Sequence, residues 1–231
     1  MAHINKSALT KMEIIQVASK MFLENGYTAT SAKAICSELG MSTGNLTFHY
    51  PTKEHLLAVL VDLLCKFQWE RMKKETDEGH TPIMAICLEL TAMAVMCEDD
   101  PIARDFYLSS YTSPMALDII RKNDMERAKS VFAKYCSGWT EELFSEAEVL
   151  TSGIEYATLM TTECSAPLEY RIKGAMKAIL TIYNVPDDVL ETKLKKVFAM
   201  DYYKIGHKMF GDFKKYVEDA NESAFLELIR R

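Results

Sequence analysis

The sequence predicts an all-α protein, and two observations support this prediction. Only nine glycines and six prolines occur in 231 residues, too few for the tight turns that many short strands require. Apolar residues recur instead at helical spacing, in segments of about 12 to 26 residues that lie between capping residues and prolines. We therefore expect ten or eleven helices and no β-sheet.

The first helix is predicted to begin at Thr10. Thr10 and Glu13 have the spacing of a capping box, in which each side chain accepts a hydrogen bond from the other residue's backbone N–H. The helix is predicted to end at Asn25-Gly26, because glycine readily adopts the left-handed conformation found at helix C-termini. One amphipathic helix therefore precedes Gly26.

Two short helices are predicted to follow. The second lies between Ser31 and Gly40, and Ser42 caps the third only two residues later. Pro51 keeps the third helix short, since it disfavours helical geometry at the preceding Tyr50. Two short helices joined by a glycine-containing turn form a helix-turn-helix.

A long fourth helix is predicted over residues 53–78, with leucines along one stripe. Further along the chain, each predicted stop lies beside a cap or a proline suited to a first helical turn. These stops are Asp99-Asp100-Pro101, Ser113-Pro114, Gly138-Trp139-Thr140, Ala166-Pro167, Val185-Pro186 and Gly211-Asp212. The chain after residue 53 is thus predicted to be a series of helices.

Charge and cysteine content narrow the class of protein. The net charge is −6, but residues 1–53 carry five lysines against three glutamates, so this part is +2 and the remainder is −8. The six cysteines lack the paired CxxC spacing of zinc ligands. We find no convincing transmembrane span and no apolar signal core. We expect a cytoplasmic protein with reduced thiols, a disulfide framework being the less favoured alternative.

The run from Ile35 to Leu56 resembles the DNA-binding domain of TetR-family transcriptional regulators. The residues that fall at the family's spacing are Gly40, Ser42, Gly44, Leu46, His49, Tyr50, Lys53, Glu54 and Leu56, and Ala18, Phe22, Gly26 and Tyr27 extend the likeness over residues 10–60. The resemblance implies a helix-turn-helix DNA-binding domain at 1–53. It also implies a larger helical domain for ligand binding and dimerisation at 54–231, joined through the long fourth helix.

The resemblance also implies which residues meet DNA. The third helix would enter the major groove with its N-terminal residues leading, where Asn45 can pair with adenine and the Thr43 methyl can touch a thymine methyl. The expected DNA-binding residues are Lys33, Ser42, Thr43, Gly44, Asn45, Thr47, Phe48, His49 and Lys53. Thr47 departs from the tyrosine usual in the family, and no arginine precedes Arg71.

A small-molecule pocket of several hundred Å³ is implied for the C-terminal part. Its expected lining residues are Met93, Phe106, Tyr111, Tyr135, Tyr156 and Met160, since Met and Tyr suit an apolar ligand with a polar group. Glu89, Arg104 and Glu163 are candidates to orient it. The charge of −8 favours a neutral or cationic ligand. The alternative is that these side chains are simply core.

Small residues four apart indicate close helix contacts. Gly153 and Ala157 lie on one predicted helix, and Gly174 and Ala178 lie on the next. The resemblance implies that these two helices form the homodimer interface, and the alternative is packing within one subunit. The helices after Pro186 are expected to be an extension that supplements or replaces that interface.

The predicted function is a homodimeric bacterial repressor that binds near-palindromic double-stranded DNA and is released by a small apolar or amphipathic effector. We expect no enzymatic activity, metal or cofactor, because the chain has no HExxH motif, Gly-rich phosphate loop or nucleophile elbow. One alternative is a helical ligand-binding protein or enzyme that has lost DNA binding. Another is a repressor controlled by a protein partner or by thiol oxidation.

Overall fold

The computed structural model describes residues 6–76 and 83–219, and these residues form helices without any β-strand. The all-α prediction is confirmed. The helices are α1 Lys6–Asn25, α2 Ala32–Leu39, α3 Thr43–His49, α4 Lys53–Thr76, α5 Ile83–Asp99, α6 Pro101–Thr112, α7 Pro114–Val131, α8 Glu141–Leu159, α9 Leu168–Ile182, α10 Asp187–Ala199 and α11 Tyr202–Asp219. Within this part of the chain, no helix combines the length and apolar character needed to cross a bilayer.

Side-chain caps fix the starts of three of these helices. Ser31 Oγ accepts a hydrogen bond from Ala34 N at 3.1 Å, and Ser42 Oγ accepts one from Asn45 N at 3.2 Å. The Asp100 carboxylate accepts from the first two amides after Pro101, at 2.8 and 3.1 Å. These caps satisfy amide groups that have no partner inside the helix. The predicted boundaries at these three positions are confirmed.

Two predicted boundaries are wrong. Helix α1 begins at Lys6, and Thr10 lies inside it with its hydroxyl donating to Lys6 O at 3.1 Å, so the predicted capping box does not form. Helix α11 continues through Gly211, because its apolar face is buried along its whole length. The stop lies instead before Tyr202, where the Asp201 carboxylate accepts from Lys204 N at 3.2 Å. The predicted end of the fourth helix at residue 78 falls outside the described residues.

Helix α5 is the centre of the C-terminal core. It is buried on almost every side because α4, α6, α8, α9, α10 and α11 all pack against it. Helix α7 packs against α4 and α8 and closes the core on that side. The N-terminal helices join this assembly through α1, which contacts α4, α6 and α11.

Helix α11 packs within its own chain, against α1, α4 and α5. The rings of Phe213 and Tyr216 lie 5.4 and 5.2 Å from the ring of Phe67 on α4, and Phe210 lies 5.9 Å from Tyr107 on α6. The apolar face of α11 is therefore used inside the subunit. The expectation that the helices after Pro186 supplement or replace the dimer interface stays a prediction.

At Gly206, α11 lies directly against the backbone of α5. A Cβ atom at this position would lie 3.1 Å from Ala92 O and 3.4 Å from Ala92 Cα, whereas one at Gly211 would meet no atom within 4 Å. We expect Gly206→Val to destabilise the fold by about 1–3 kcal/mol through overpacking. The matched change Gly211→Val should alter stability by only a few tenths of a kcal/mol, roughly the difference in helix propensity. Urea unfolding of both variants tests this, and equal effects would contradict the close packing.

Candidate DNA-binding surface and cavity

Helices α2 and α3 form the predicted helix-turn-helix. Gly40 has φ 61, and its neighbour Met41 donates from its amide to Cys36 O at 3.0 Å, which closes the end of α2. A positive φ is accessible to glycine without steric penalty. The turn between the helices therefore depends on Gly40, and Ser42 starts α3 immediately afterwards.

Helix α3 has one buried face and one exposed face. Leu46 and the following Tyr50 are buried against the neighbouring helices. The exposed side chains and glycine of α3 are Thr43, Gly44, Asn45, Thr47 and Phe48, and Phe48 is 79% exposed. No acidic residue occurs on this helix. The exposed face of α3 therefore presents amide, methyl and aromatic groups to a partner. Because α3 has no acidic side chain, it would not repel an anionic partner.

The remaining predicted DNA-binding residues occupy different environments. Lys33 is exposed on α2, whereas His49 is half-buried at the end of α3. Ser42 uses its hydroxyl as the α3 cap, and the Thr47 hydroxyl donates within α3 to Thr43 O at 3.0 Å. Their hydroxyls are therefore already engaged. Contact of these residues with DNA stays a prediction.

Lys53 has a structural role that sequence reasoning missed. Its ammonium donates to Tyr27 O at 2.8 Å and to Thr30 O at 3.0 Å, and it lies 3.9 Å from the centre of the Tyr27 ring. These contacts join the start of α4 to the turn between α1 and α2. A phosphate bound by Lys53 would have to share an ammonium that is already hydrogen-bonded.

Asp105 on α6 holds the same turn from the other side. Its carboxylate accepts a hydrogen bond from Thr28 N at 2.8 Å and another from the Thr28 hydroxyl. Gly26, with φ +90, makes room for this contact, because a Cβ there would lie 2.9 Å from Asp105 Oδ2. The turn that leads into the helix-turn-helix is therefore tied directly to α6.

A cavity lies among helices α4 to α9. Its lining includes Gln68, Glu89, Met93, Tyr107, Tyr111, Asp124, Arg127, Phe132, Glu148, Thr151, Glu155 and Tyr183. Its volume, about 60 Å³, is well below the several hundred Å³ expected from the sequence. The aromatic side chains of Tyr107, Tyr111, Phe132 and Tyr183 are among those that surround this small space.

The structure separates the six residues predicted to contact a ligand. Met93 and Tyr111 line the cavity, whereas Phe106 is buried on α6 outside the lining set. Tyr135 and Tyr156 are half-buried away from the cavity, and Met160 is 44% exposed. Two of the six therefore belong to this cavity, and their contact with a ligand stays a prediction.

The three candidate polar residues are also separated. Glu89 lines the cavity. The Arg104 guanidinium donates to the backbone carbonyl of Cys97, and Glu163 is exposed in the loop between α8 and α9. The other charged groups of the cavity, which were not among the predicted residues, are Asp124, Arg127, Glu148 and Glu155.

Arg127 is the central cation of the cavity wall. Its guanidinium contacts Glu89 at 2.9 Å and Asp124 at 2.8 Å, and it stacks near the ring of Trp69 at 5.2 Å. Burial raises the pKa of Glu89 above its usual range even though the positive charge of Arg127 acts to lower it. Burial likewise raises the pKa of Asp124. This group of three side chains is therefore a desolvated ion cluster.

Glu148 and Glu155 form a second acidic pair in the cavity, on α8. The Tyr183 hydroxyl donates to Glu148, and the Tyr111 hydroxyl donates to Glu155 Oε2 at 2.9 Å. Burial, with a further contribution from the negative charge of Asp124, raises the pKa of Glu148 to about 8. The same causes raise the pKa of Glu155 well above its usual range.

The thiols offer little support for redox control. Cys36, Cys65, Cys87, Cys97 and Cys136 are buried, Cys164 is exposed, and none of the six forms a disulfide. Burial raises the pKa of Cys97 to about 12 and raises that of Cys65 well above its usual range. Because the thiolate is the reactive form, these two buried cysteines are expected to be inert.

Comparison with known proteins bears on the N-terminal helices. Residues 14–60 match the family model of bacterial regulatory proteins, tetR family. The chain carries a TetR-family N-terminal domain. All nine residues predicted to contact DNA lie within the matched segment, which includes the complete helix-turn-helix and the start of α4.

Curated relatives extend this likeness beyond the TetR-family domain. The chain is 25% identical over 189 residues to the uncharacterised HTH-type transcriptional regulator YuxN of Bacillus subtilis, covering 76% of this chain and 62% of YuxN. It is 37% identical over 71 residues to the HTH-type transcriptional regulator QacR of Staphylococcus aureus, covering 31% of this chain and 38% of QacR. The chain thus spans less than two thirds of either relative.

Among solved structures, the full-length native TylP, a TetR regulator from Streptomyces fradiae, aligns with 90% of this chain and 99% of its own. The sequence identity is 17% and the TM-score is 0.49.

Proposed function

We propose that the protein is a transcriptional repressor that binds a near-palindromic DNA site as a homodimer and is released by a small molecule bound in the cavity. Residues 1–53 would form the DNA-binding domain, and residues 54–231 would bind the effector and dimerise. The exposed face of α3, within the segment that matches the TetR-family model, is the observation that supports this function most directly.

Base reading is assigned to the first turn of α3. Asn45 is exposed there, and its amide can form a bidentate pair with adenine in the major groove. Thr43 and Phe48 are exposed as well and offer apolar contacts to thymine methyl groups. Lys33 supplies a positive charge on the neighbouring helix for the DNA backbone.

A homodimer follows from twofold DNA symmetry and from the exposed surface of α8 and α9. These helices and their connecting loop expose Leu143, Val149, Leu150, Met160 and Tyr170. Gly153 and Gly174 are exposed on the same helices, and a Cβ at either would meet no atom within 4 Å. A partner helix can approach closely at these positions. One helix-turn-helix per chain then gives two for the two half-sites.

Helix α6 provides the route from the cavity to the DNA-binding surface. Tyr107, Ser110 and Tyr111 of α6 line the cavity, and Asp105 of the same helix holds the Thr28 turn. A ligand that binds more tightly when α6 is displaced would shift the turn and with it the orientation of α3. Only such a difference in affinity between two conformers can release DNA.

Asn45→Ala tests the assignment of α3. We expect affinity for a duplex selected from a random pool to fall about 10- to 100-fold, because loss of a bidentate base contact costs about 1–3 kcal/mol. Affinity for random duplex should stay within about twofold, since backbone contacts dominate nonspecific binding. Fluorescence anisotropy at fixed salt measures both.

Two controls make this result specific. Glu146→Ala, an exposed change on α8 away from the helix-turn-helix, should leave both affinities unchanged. A duplex carrying only one half-site should bind much more weakly than the full site if two α3 helices engage it together. Equal weakening of Asn45→Ala on selected and random DNA would overturn the base-reading role.

A further inference from the structure

The two carboxyl groups of α8 face the cavity without a cation of their own. Glu148 and Glu155 are seven residues apart, which places them on the same face of the helix. Among the described residues, neither has a lysine or arginine nitrogen within 4 Å. Arg127 is already paired with Glu89 and Asp124. An ionised carboxylate buried without a cation is strongly destabilised, so the presence of two carboxyl groups here without a cation requires a physical explanation.

Charged groups around this pair come from several helices. Four acids, Glu89, Asp124, Glu148 and Glu155, line the cavity together with Arg127, which contacts only the first two. Arg121 on α7 also acts on Glu148, although its Nε donates to Ser152 Oγ at 2.9 Å. The uncharged titratable groups near the pair are Tyr111, Tyr183 and Cys65. With all four acids ionised, the cavity would carry an excess of negative charge.

Thr151 gives an independent indication of a ligand. It lies between the two glutamates on α8, lines the cavity and is only 5% exposed. Its hydroxyl has no partner at hydrogen-bond geometry among residues 6–76 and 83–219, although the Tyr183 side chain is close enough to interact with it. Buried polar atoms are nearly always hydrogen-bonded in native proteins. An unsatisfied hydroxyl beside two buried carboxyl groups that have tyrosine partners but no cation indicates a site for a polar group from outside the chain.

Aromatic side chains line the same space. Phe132 and Tyr183 stack with their centroids 4.1 Å apart, and Tyr107 and Tyr111 line the adjacent wall. Aromatic faces attract cations, and ammonium groups are recognised in this way. Within the described residues, no three His, Cys, Asp or Glu side chains are grouped as metal ligands. The arrangement therefore suits an organic cation better than a metal ion.

We infer that the cavity binds a small organic cation, an amine or quaternary ammonium, whose charge lies between Glu148 and Glu155 and whose alkyl part contacts the aromatic wall. This inference rests on the proposed function, in which the same cavity holds the effector. The volume of about 60 Å³ corresponds to roughly four to six water molecules. A ligand of about five to seven heavy atoms therefore fits without large movement.

Binding of such a cation is coupled to proton release. Because burial raises the pKa of Glu148 to about 8, this carboxyl group is largely protonated at pH 7 in the empty cavity, and burial raises the pKa of Glu155 in the same direction. The arriving ammonium favours the carboxylate, so the carboxyl O–H bond breaks and its proton passes to the buffer. Affinity should rise with pH up to about 8, by as much as tenfold per pH unit for each proton released.

Isothermal titration calorimetry with three probes of equal chain length tests the inference. We expect pentylamine, which is cationic at pH 7, to bind at least tenfold more tightly than 1-pentanol, and we expect pentanoate to bind most weakly. Repeating the pentylamine titration in buffers of different ionisation enthalpy should reveal proton release. Equal affinity for pentylamine and 1-pentanol, or tighter binding of pentanoate, would overturn the cation assignment.

Glu155→Gln supplies the matched variant, because glutamine has the size of a protonated glutamate but cannot ionise. It should weaken pentylamine binding at least tenfold and leave 1-pentanol binding unchanged, while exposed Glu163→Gln should change neither. Circular dichroism melting shows whether each variant is folded. If pentylamine fails to bind the wild type while the selected duplex still binds, the cation assignment fails and the proposed function stands. If pentylamine binds but no duplex does, the proposed DNA-binding function fails and the cation assignment stands.

Discussion

Arg127→Met is expected to destabilise the folded chain by about 3–5 kcal/mol at pH 7. The Arg127 side chain is only 12% exposed, and it neutralises Glu89 and Asp124 at 2.9 and 2.8 Å. Removing one partner from a buried ion cluster leaves uncompensated charge in a medium that solvates it poorly. Methionine preserves most of the apolar volume, so the expected loss is electrostatic rather than a packing defect.

The effect of Arg127→Met should depend on pH. Without the guanidinium, burial raises the pKa of Glu89 and Asp124 further above their values in the unfolded chain. Groups with raised folded-state pKa values stabilise the fold at low pH, and this contribution is lost as pH rises. Urea unfolding should therefore show a smaller loss at pH 5 than at pH 8. Lys129→Met, which removes two surface ion pairs, with Glu126 and Glu141, should have little effect at either pH. A loss of similar size in the two variants would contradict the buried-cluster interpretation.

Glu148→Gln should stabilise the ligand-free protein by about 4 kcal/mol at pH 8 and by little at pH 5. The pKa of Glu148 is about 8 in the folded state, against 4.5 for an exposed glutamate. The folded state therefore retains a proton that the unfolded state releases, and the wild type loses stability as pH rises from about 4.5 to 8. Glutamine is neutral throughout and removes that loss.

Unfolding curves between pH 5 and pH 9 measure this difference. Glu146→Gln, on the exposed face of the same helix, is the matched control and should parallel the wild type at every pH. If Glu148→Gln also parallels the wild type, then Glu148 is ionised in the folded protein and has a counter-charge that the contacts described above do not include.

The helix-turn-helix was predictable because its signals are local. Ser31 and Ser42 cap their helices within three residues, and Gly40 forms the turn between them. Such signals depend on backbone geometry that tertiary packing rarely changes. The predicted capping box at Thr10 was wrong because a local signal of this kind can be ambiguous. The same pair of residues fits equally well within a helix, and four further residues before it extend α1 to Lys6.

The charged cavity was not predictable, because burial of a charge depends on distant parts of the chain. Glu89 and Arg127 are 38 residues apart, and Tyr111 and Glu155 are 44 apart. Each of these side chains, taken alone, resembles an exposed residue on an amphipathic helix. One signal was available on α8, where Glu148, Thr151 and Glu155 recur on one face. A polar stripe of that kind usually faces solvent.

The contact between Asp105 and Thr28 sets an upper limit on how far a ligand that acts through α6 can change the affinity for DNA. Hydrogen bonds to a charged group contribute about 1.5–3 kcal/mol each when buried, and these two are partly open to solvent. The coupling free energy available at this contact is therefore about 1–3 kcal/mol, a change of roughly 5- to 150-fold in DNA affinity. A larger ratio of DNA affinities would require a second contact to change at the same time, and α1 offers such contacts through its packing against α4 and α11.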